Sequence, residues 1–140
     1  MRLLETRREI ERLVCRSAAK RANENERKNF ARLTAEFTEA SLNNDAVAFM
    51  RSDREFNELC LVSARNEFAE SALRSLNGLS RRFWYLHYQQ SADLPEMARL
   101  HAGVAAAIAA GNPVDAAAAS NLLIDNIESF TKATVMLDQI

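Results

Sequence analysis

Glycine and proline are scarce in this sequence, with 3 and 2 copies among 140 residues, and runs of β-branched residues are few. The many turns of a β-sandwich depend on glycine and proline, so that class of fold is disfavoured. Hydrophobic residues make up 48% of the chain, which is too many for a disordered segment. The composition therefore predicts a single all-α domain with one core.

An excess of charge of either sign is also lacking, since 18 Lys and Arg face 19 Asp and Glu. Such a balance provides no long-range field to attract a phosphate backbone, so the chain alone is predicted to bind DNA poorly. The longest uncharged stretch, residues 100–114, is shorter than the ~20 apolar residues of a membrane span. Charged residues interrupt the chain directly after Met1, where a signal peptide would be apolar. We therefore expect no membrane helix and a cytoplasmic location.

Recognisable catalytic motifs are absent from the sequence. It contains no glycine-rich phosphate loop, no His-Glu-x-x-His and no local context typical of a nucleophile with its base. Cys15 and Cys60 lie 45 residues apart without a Cys-x-x-Cys spacing, among apolar neighbours. They are predicted to be buried small hydrophobic residues rather than a disulfide or a zinc site. The chain is predicted not to be an enzyme.

Asn, Asp, Gly and Pro divide the sequence into six predicted helices. Their approximate ranges are 2–22, 26–42, 46–63, 66–88, a fifth helix from the Asp93 and Pro95 signal to 110, and 113–137. In the second helix, the apolar spacing predicts that Phe30, Leu33, Phe37 and Leu42 are buried. Short connections place successive helices side by side, which predicts a single antiparallel bundle.

Polar side chains stand on the apolar stripes of two helices. The spacing 46, 50, 53, 57, 60 in the third helix points Asp53 and Asn57 inward, and the spacing 97, 101, 104, 108 in the fifth points His101 inward. Asp53 and Asn57 are one turn apart and could hold one ligand or ion together. A buried carboxylate needs a partner, and Arg7 is one candidate. Two interpretations stay open: these polar residues form structural hydrogen bonds, or Asp53 and His101 supply half of a metal site. The site would be only half complete because the core position of the sixth helix is Leu123, which has no donor atom.

The fourth helix concentrates aromatic and basic residues in the run 81–88, which holds the only Trp and both Tyr. Arg82 and Tyr85 could clamp an organic anion, with the guanidinium on a carboxylate and the ring covering the rest. Trp, Tyr and Arg are also the usual residues of a dimer interface. Both interpretations stay open from the sequence.

Three groups of residues, taken in order, resemble the motifs of one known family. They are Glu5, Arg7, Glu11, Ala18, Ala19 and Ala22 in the first helix, Asp53, Phe56, Asn57, Ala64 and Asn66 in and after the third, and His101, Val104, Ala107 and Ile108 in the fifth. Over nearly its full length the chain resembles the ligand-sensing C-terminal domain, the FCD domain, of GntR-family transcription regulators of the FadR subfamily.

The resemblance implies a site in the bundle. Many members of that family hold a divalent metal such as zinc or nickel through an Asp, a His four residues later, the fifth-helix His and a last-helix His. Asp53 and His101 match two of these ligands, whereas Asn57 and Leu123 replace the other two. The resemblance then implies a pocket without a metal, in which Asp53, Asn57 and His101 bind a small carboxylate or sugar acid directly, with Arg7, Arg82 and Tyr85 as further candidates.

The resemblance also implies partners. Members of the family form homodimers and contact DNA through an N-terminal winged helix-turn-helix domain, which these 140 residues do not include. Residues 1–140 are therefore expected to be an effector-binding and dimerisation domain. The alternative is a plain dimerisation module, in which the inward polar residues are structural and no ligand binds.

Overall fold

The computed structural model describes the backbone of residues 2–91 and 93–138, and the side chains of residues 2–79 and 93–132. Six helices account for nearly all of the described chain, and this part contains no strand. They are α1 (Arg2–Arg21), α2 (Glu24–Asn43), α3 (Ala46–Ala64), α4 (Glu67–Ser91), α5 (Leu94–Ala109) and α6 (Pro113–Asp138). The predicted all-α fold class is confirmed. In the described part of the chain, no helix has the length and apolar character to cross a membrane.

The helices begin at the polar residues that the sequence uses as punctuation. Asn23 and Glu26 form a reciprocal capping box at the start of α2, and the side chains of Asp45 and Asp93 accept backbone N–H groups at the starts of α3 and α5. The side chain of Asn66 caps α4 in the same way. Because a side-chain oxygen satisfies an N–H group that has no partner within the helix, these residues fix each start closely.

The core is built around four fully buried phenylalanines, Phe30 and Phe37 of α2 and Phe49 and Phe56 of α3. Phe56 meets the edges or faces of both α2 rings, at centroid distances of 6.1 Å from Phe30 and 5.6 Å from Phe37. α2 also packs along α5, while α1 packs on α3, α4, α5 and α6. The aromatic layer therefore lies against α5, the helix that carries His101.

The predicted burial of Leu42 is wrong, because its side chain is 81% exposed. The buried residues of α2 continue from Phe37 to Ala40, and each helical residue turns the chain by about 100°, so Leu42 lies on the opposite side from Ala40. Ser41 instead faces inward and donates a hydrogen bond to the carbonyl of Pro95 at 2.7 Å. The buried face of α2 therefore ends at Ala40, whereas the predicted face includes Leu42.

Gly111 ends α5 in a conformation that other residues avoid, with φ at +68°. A Cβ at this position would lie 2.9 Å from Nη2 of Arg27. We expect Gly111→Ala to lower the free energy of unfolding by about 1–2 kcal/mol, since an L side chain is strained in the left-handed region. The matched control is Gly103→Ala within α5, where a Cβ has open space and is expected to stabilise the helix by about 0.5–1 kcal/mol. Urea denaturation of both variants tests this, and equal effects would contradict it.

Candidate functional site

His101 lies in the aromatic core, as its position on the α5 stripe predicts. Its ring centroid is 5.2 Å from that of Phe37, 5.0 Å from Phe49 and 5.9 Å from Phe56. Nδ1 is 2.8 Å from the carbonyl oxygen of Met97, and Nε2 is 3.1 Å from Oδ1 of Asp53. Both ring nitrogens therefore face oxygen acceptors, so a doubly protonated ring donates to both and a neutral ring donates to only one.

Asp53 and Asn57 lie at the edge of the buried face of α3. That face follows Phe49, Ser52, Phe56 and Cys60, and the Asp53 side chain next to it keeps 26% of its surface exposed. The amide Nδ2 of Asn57 lies 3.4 Å from Oδ1 of Asp53. Asp53, Asn57 and His101, which we call the Asp53 cluster, thus combine two accessible polar groups with one imidazole held by the core.

Arg7 has a different partner from the one expected. Its Nε lies 3.2 Å from Oε2 of Glu11, one turn later in α1, and only 12% of the Arg7 side chain and 5% of the Glu11 side chain are exposed. Arg7 is a predicted partner for Asp53, and no role in the site is predicted for Glu11. Glu11 lies seven residues after Leu4 and four before Cys15, both of which are buried in α1. That spacing was the available signal for a buried carboxylate.

The two cysteines are free and buried, as predicted. Burial raises the pKa of the Cys60 thiol well above its usual range, and the Cys15 thiol and the charges of Glu11 and Asp53 raise it further.

Several residues remain to be placed. Arg82 and Tyr85 lie among the side chains outside the described residues, so they stay predictions. Asn77 of α4 was not selected from the sequence, yet it is buried, and its side-chain oxygen Oδ1 has no hydrogen-bond partner among the described residues. Its spacing of four from the buried Leu73 was the signal.

Among residues 2–79 and 93–132, the side chains at the matched positions do not make up a four-ligand divalent site. Asp53 and His101 offer one oxygen and one nitrogen, whereas Leu123 is buried in the core and has no donor atom. Asp125 of α6 is turned toward Arg8, with Oδ1 2.7 Å from Nη2. Within residues 2–79 and 93–132, no three His, Cys, Asp or Glu side chains converge on a position that could hold a metal ion. Zinc in a structural site takes four ligands.

The model of a family described as FCD domain matches residues 2–126. The matched range contains Arg7, Asp53, Asn57 and His101. No curated protein matches the chain significantly.

Proposed function

The chain belongs to the FCD domain family, the regulatory domains of GntR-type transcription regulators, and from this membership we propose that it senses a small carboxylate or sugar acid. The ligand binds directly to the Asp53 cluster, without a divalent metal, and controls DNA binding by a winged helix-turn-helix domain that precedes α1 in the complete regulator. The protein acts in the cytoplasm as a homodimer and not as an enzyme.

The observation that carries this proposal is the meeting of Asp53, Asn57 and His101 at the border of the core. The side chains of Asp53 and Asn57 are partly exposed, so a ligand can exchange hydrogen bonds with them, while His101 is fixed by Met97 and three phenylalanine rings. A few polar groups that fix the orientation of a ligand beside apolar side chains are typical of small-molecule binding.

The charge of the ligand is argued from α1. An acidic ligand beside Asp53 needs a positive group, and Arg7 supplies a guanidinium that is already largely desolvated. A guanidinium can hold a carboxylate through two parallel hydrogen bonds. Because Glu11 occupies Arg7 in the structure described above, a ligand carboxylate would compete with Glu11 and thereby act on α1.

A thermal-shift screen tests the proposal. We expect a monocarboxylate, dicarboxylate or sugar acid to raise the melting temperature of the purified chain, whether or not a chelator is present, and zinc or nickel to leave it unchanged. Asp53→Ala should lose the response to the acid, whereas the control Glu39→Ala, at an exposed position of α2, should keep it. A chelator-reversible shift by zinc or nickel, or an unchanged response in Asp53→Ala, would contradict direct binding at this cluster.

The second candidate is a dimerisation module that binds no ligand. It is favoured by α4, where Phe68 is 79% exposed and Leu79, three turns later on the same face, is 57% exposed. If no acid or metal shifts the melting temperature and sedimentation gives a dimer, this interpretation replaces the first.

A further inference from the structure

The C-terminal ends of α1 and α3 are joined by hydrogen bonds, which set the level of residues along both helices. Nη1 of Arg21 donates to the carbonyl oxygen of Ala64 at 2.9 Å, and Nη1 of Arg65 donates to the carbonyl oxygen of Arg21 at 3.0 Å. Because the two helices also pack on each other, they run parallel. Ten residues before Arg21 and Ala64 stand Glu11 and position 54. Since every helical residue rises by about 1.5 Å, Glu11 lies at the level of Asp53.

Asn77 of α4 lies at the same level of the bundle. Only two residues separate α4 from α3, and α4 packs on α1, so α4 runs back along α1 from the shared end. Asn77 is ten residues after Glu67, the first residue of α4, and Glu11 is ten residues before the end of α1. The Asn77 side chain follows the buried Leu73 by one turn and is itself 8% exposed. Its Oδ1 has no hydrogen-bond partner among the described residues.

Asn121 of α6 adds a second amide oxygen. Its backbone carbonyl accepts a hydrogen bond from Nη1 of Arg8 at 3.3 Å, which places it beside the turn of α1 that holds Arg7 and Glu11. The side-chain Oδ1 of Asn121 is buried and, within the described part of the chain, also lacks a hydrogen-bond partner. Buried acceptors without a partner are unfavourable. Both amide oxygens are therefore suited to accept a hydrogen bond from a bound molecule.

We propose that the effector is an amino acid, whose carboxylate binds Arg7 and whose ammonium group binds Glu11 and the amide oxygens of Asn77 and Asn121. This inference rests on the proposed effector site and narrows the class of its ligand. An ammonium group has three N–H donors and no acceptor. The carboxylate of Glu11 and the two amide oxygens supply three acceptors for it.

The burial of Glu11 favours an acid that carries an ammonium group over a plain acid. A ligand carboxylate that takes the guanidinium of Arg7 leaves the Glu11 carboxylate, which is 5% exposed, without its counter-charge. A buried charge without a partner is strongly unfavourable. The ammonium group of an amino acid takes the place of the guanidinium beside Glu11, so each charge keeps an opposite one. A simple amine would leave Arg7 without a counter-charge in the same way.

Isothermal titration calorimetry of the purified chain with the common amino acids tests the inference. Each amino acid that binds is compared with the same molecule without its amino group, for example aspartate with succinate and alanine with propionate. We expect the amino acid to bind about 100-fold more tightly than its counterpart, because only the counterpart leaves Glu11 unpaired. Glu11→Gln removes the charge at nearly constant volume and should abolish most of this preference. The control Glu39→Gln, at an exposed position of α2, should keep it.

Circular dichroism establishes whether the Glu11→Gln variant folds. If it does not, Asn77→Leu takes its place and should reduce the preference for the amino acid by about tenfold through the loss of one acceptor. The inference is overturned, while acid sensing stands, if plain acids bind as tightly as amino acids. It is also overturned if the folded Glu11→Gln variant, or Asn77→Leu in its place, keeps the full preference. If neither amino acids nor plain acids bind the wild-type chain, the proposed function fails together with this inference.

Discussion

Arg7→Met is expected to lower the free energy of unfolding by about 3 kcal/mol, measured by urea denaturation, because it leaves the Glu11 carboxylate buried without a counter-charge. The Glu11 side chain is 5% exposed and its ion pair with Arg7 lies within α1, so water cannot replace the lost partner without opening the helix packing. Methionine preserves most of the length and volume of the arginine stem, which keeps the loss of packing small.

Two control variants distinguish the effect of losing the Arg7 charge from the effect of losing packing volume. The double variant Arg7→Met/Glu11→Leu removes both charges and is expected to recover stability to within about 1 kcal/mol of wild type, since a buried pair replaced by apolar groups is often neutral. Arg12→Met breaks the exposed pair with Glu9 and should cost less than about 1 kcal/mol. A single Arg7→Met variant as stable as wild type would show that Glu11 is solvated, which contradicts its burial.

The double variant Arg7→Met/Glu11→Leu also tests whether Arg7 binds the ligand. It is expected to fold yet lose the thermal shift that an acidic ligand produces, because the guanidinium proposed to hold the ligand carboxylate is gone. If the double variant keeps the full shift, Arg7 has a structural role only, and the positive group of the site lies elsewhere.

The orientation of single helices was predictable from the sequence, while the contacts between helices were not. The spacing around His101 in α5 was sufficient to place its ring in the core, because all of its stripe neighbours are apolar. Its contact with Asp53 joins residues 48 positions apart and depends on how α3 packs against α5, which periodicity does not encode. Glu11 shows the same limit, since a charged residue on an apolar stripe can pair within its own helix or across the bundle.

The buried face of a helix covers only part of its circumference, and this explains two differences between the predicted and the observed burial. Asp53 and Asn57 were predicted to point inward, and the structure places them at the edge of a buried face centred on Ser52, Phe56 and Cys60. Leu42 was predicted to be buried and is exposed. A spacing of three or four leaves an uncertainty of tens of degrees, which is enough to move a residue from the centre of a stripe to its edge.

His101→Ala is expected to lower the free energy of unfolding by about 2–4 kcal/mol, because it opens a cavity among three phenylalanine rings and removes the hydrogen bond to Asp53. His101→Phe refills the ring volume without restoring the hydrogen bond. We therefore expect it to recover part of the loss and to leave a deficit of about 1.5–3 kcal/mol, the range for a hydrogen bond to a charged group.

A double-mutant cycle isolates the contact itself. Urea denaturation of Asp53→Ala, His101→Phe and the double variant should give a coupling energy of about 0.5–3 kcal/mol, since residues in direct contact do not act additively. The Asn57→Ala/His101→Phe pair is the matched control, because the Asn57 amide contacts Asp53 at 3.4 Å and has no hydrogen bond to the ring. If the Asp53 cycle shows no coupling, the two residues act separately, and the Asp53 cluster proposed to bind the ligand does not function as a unit.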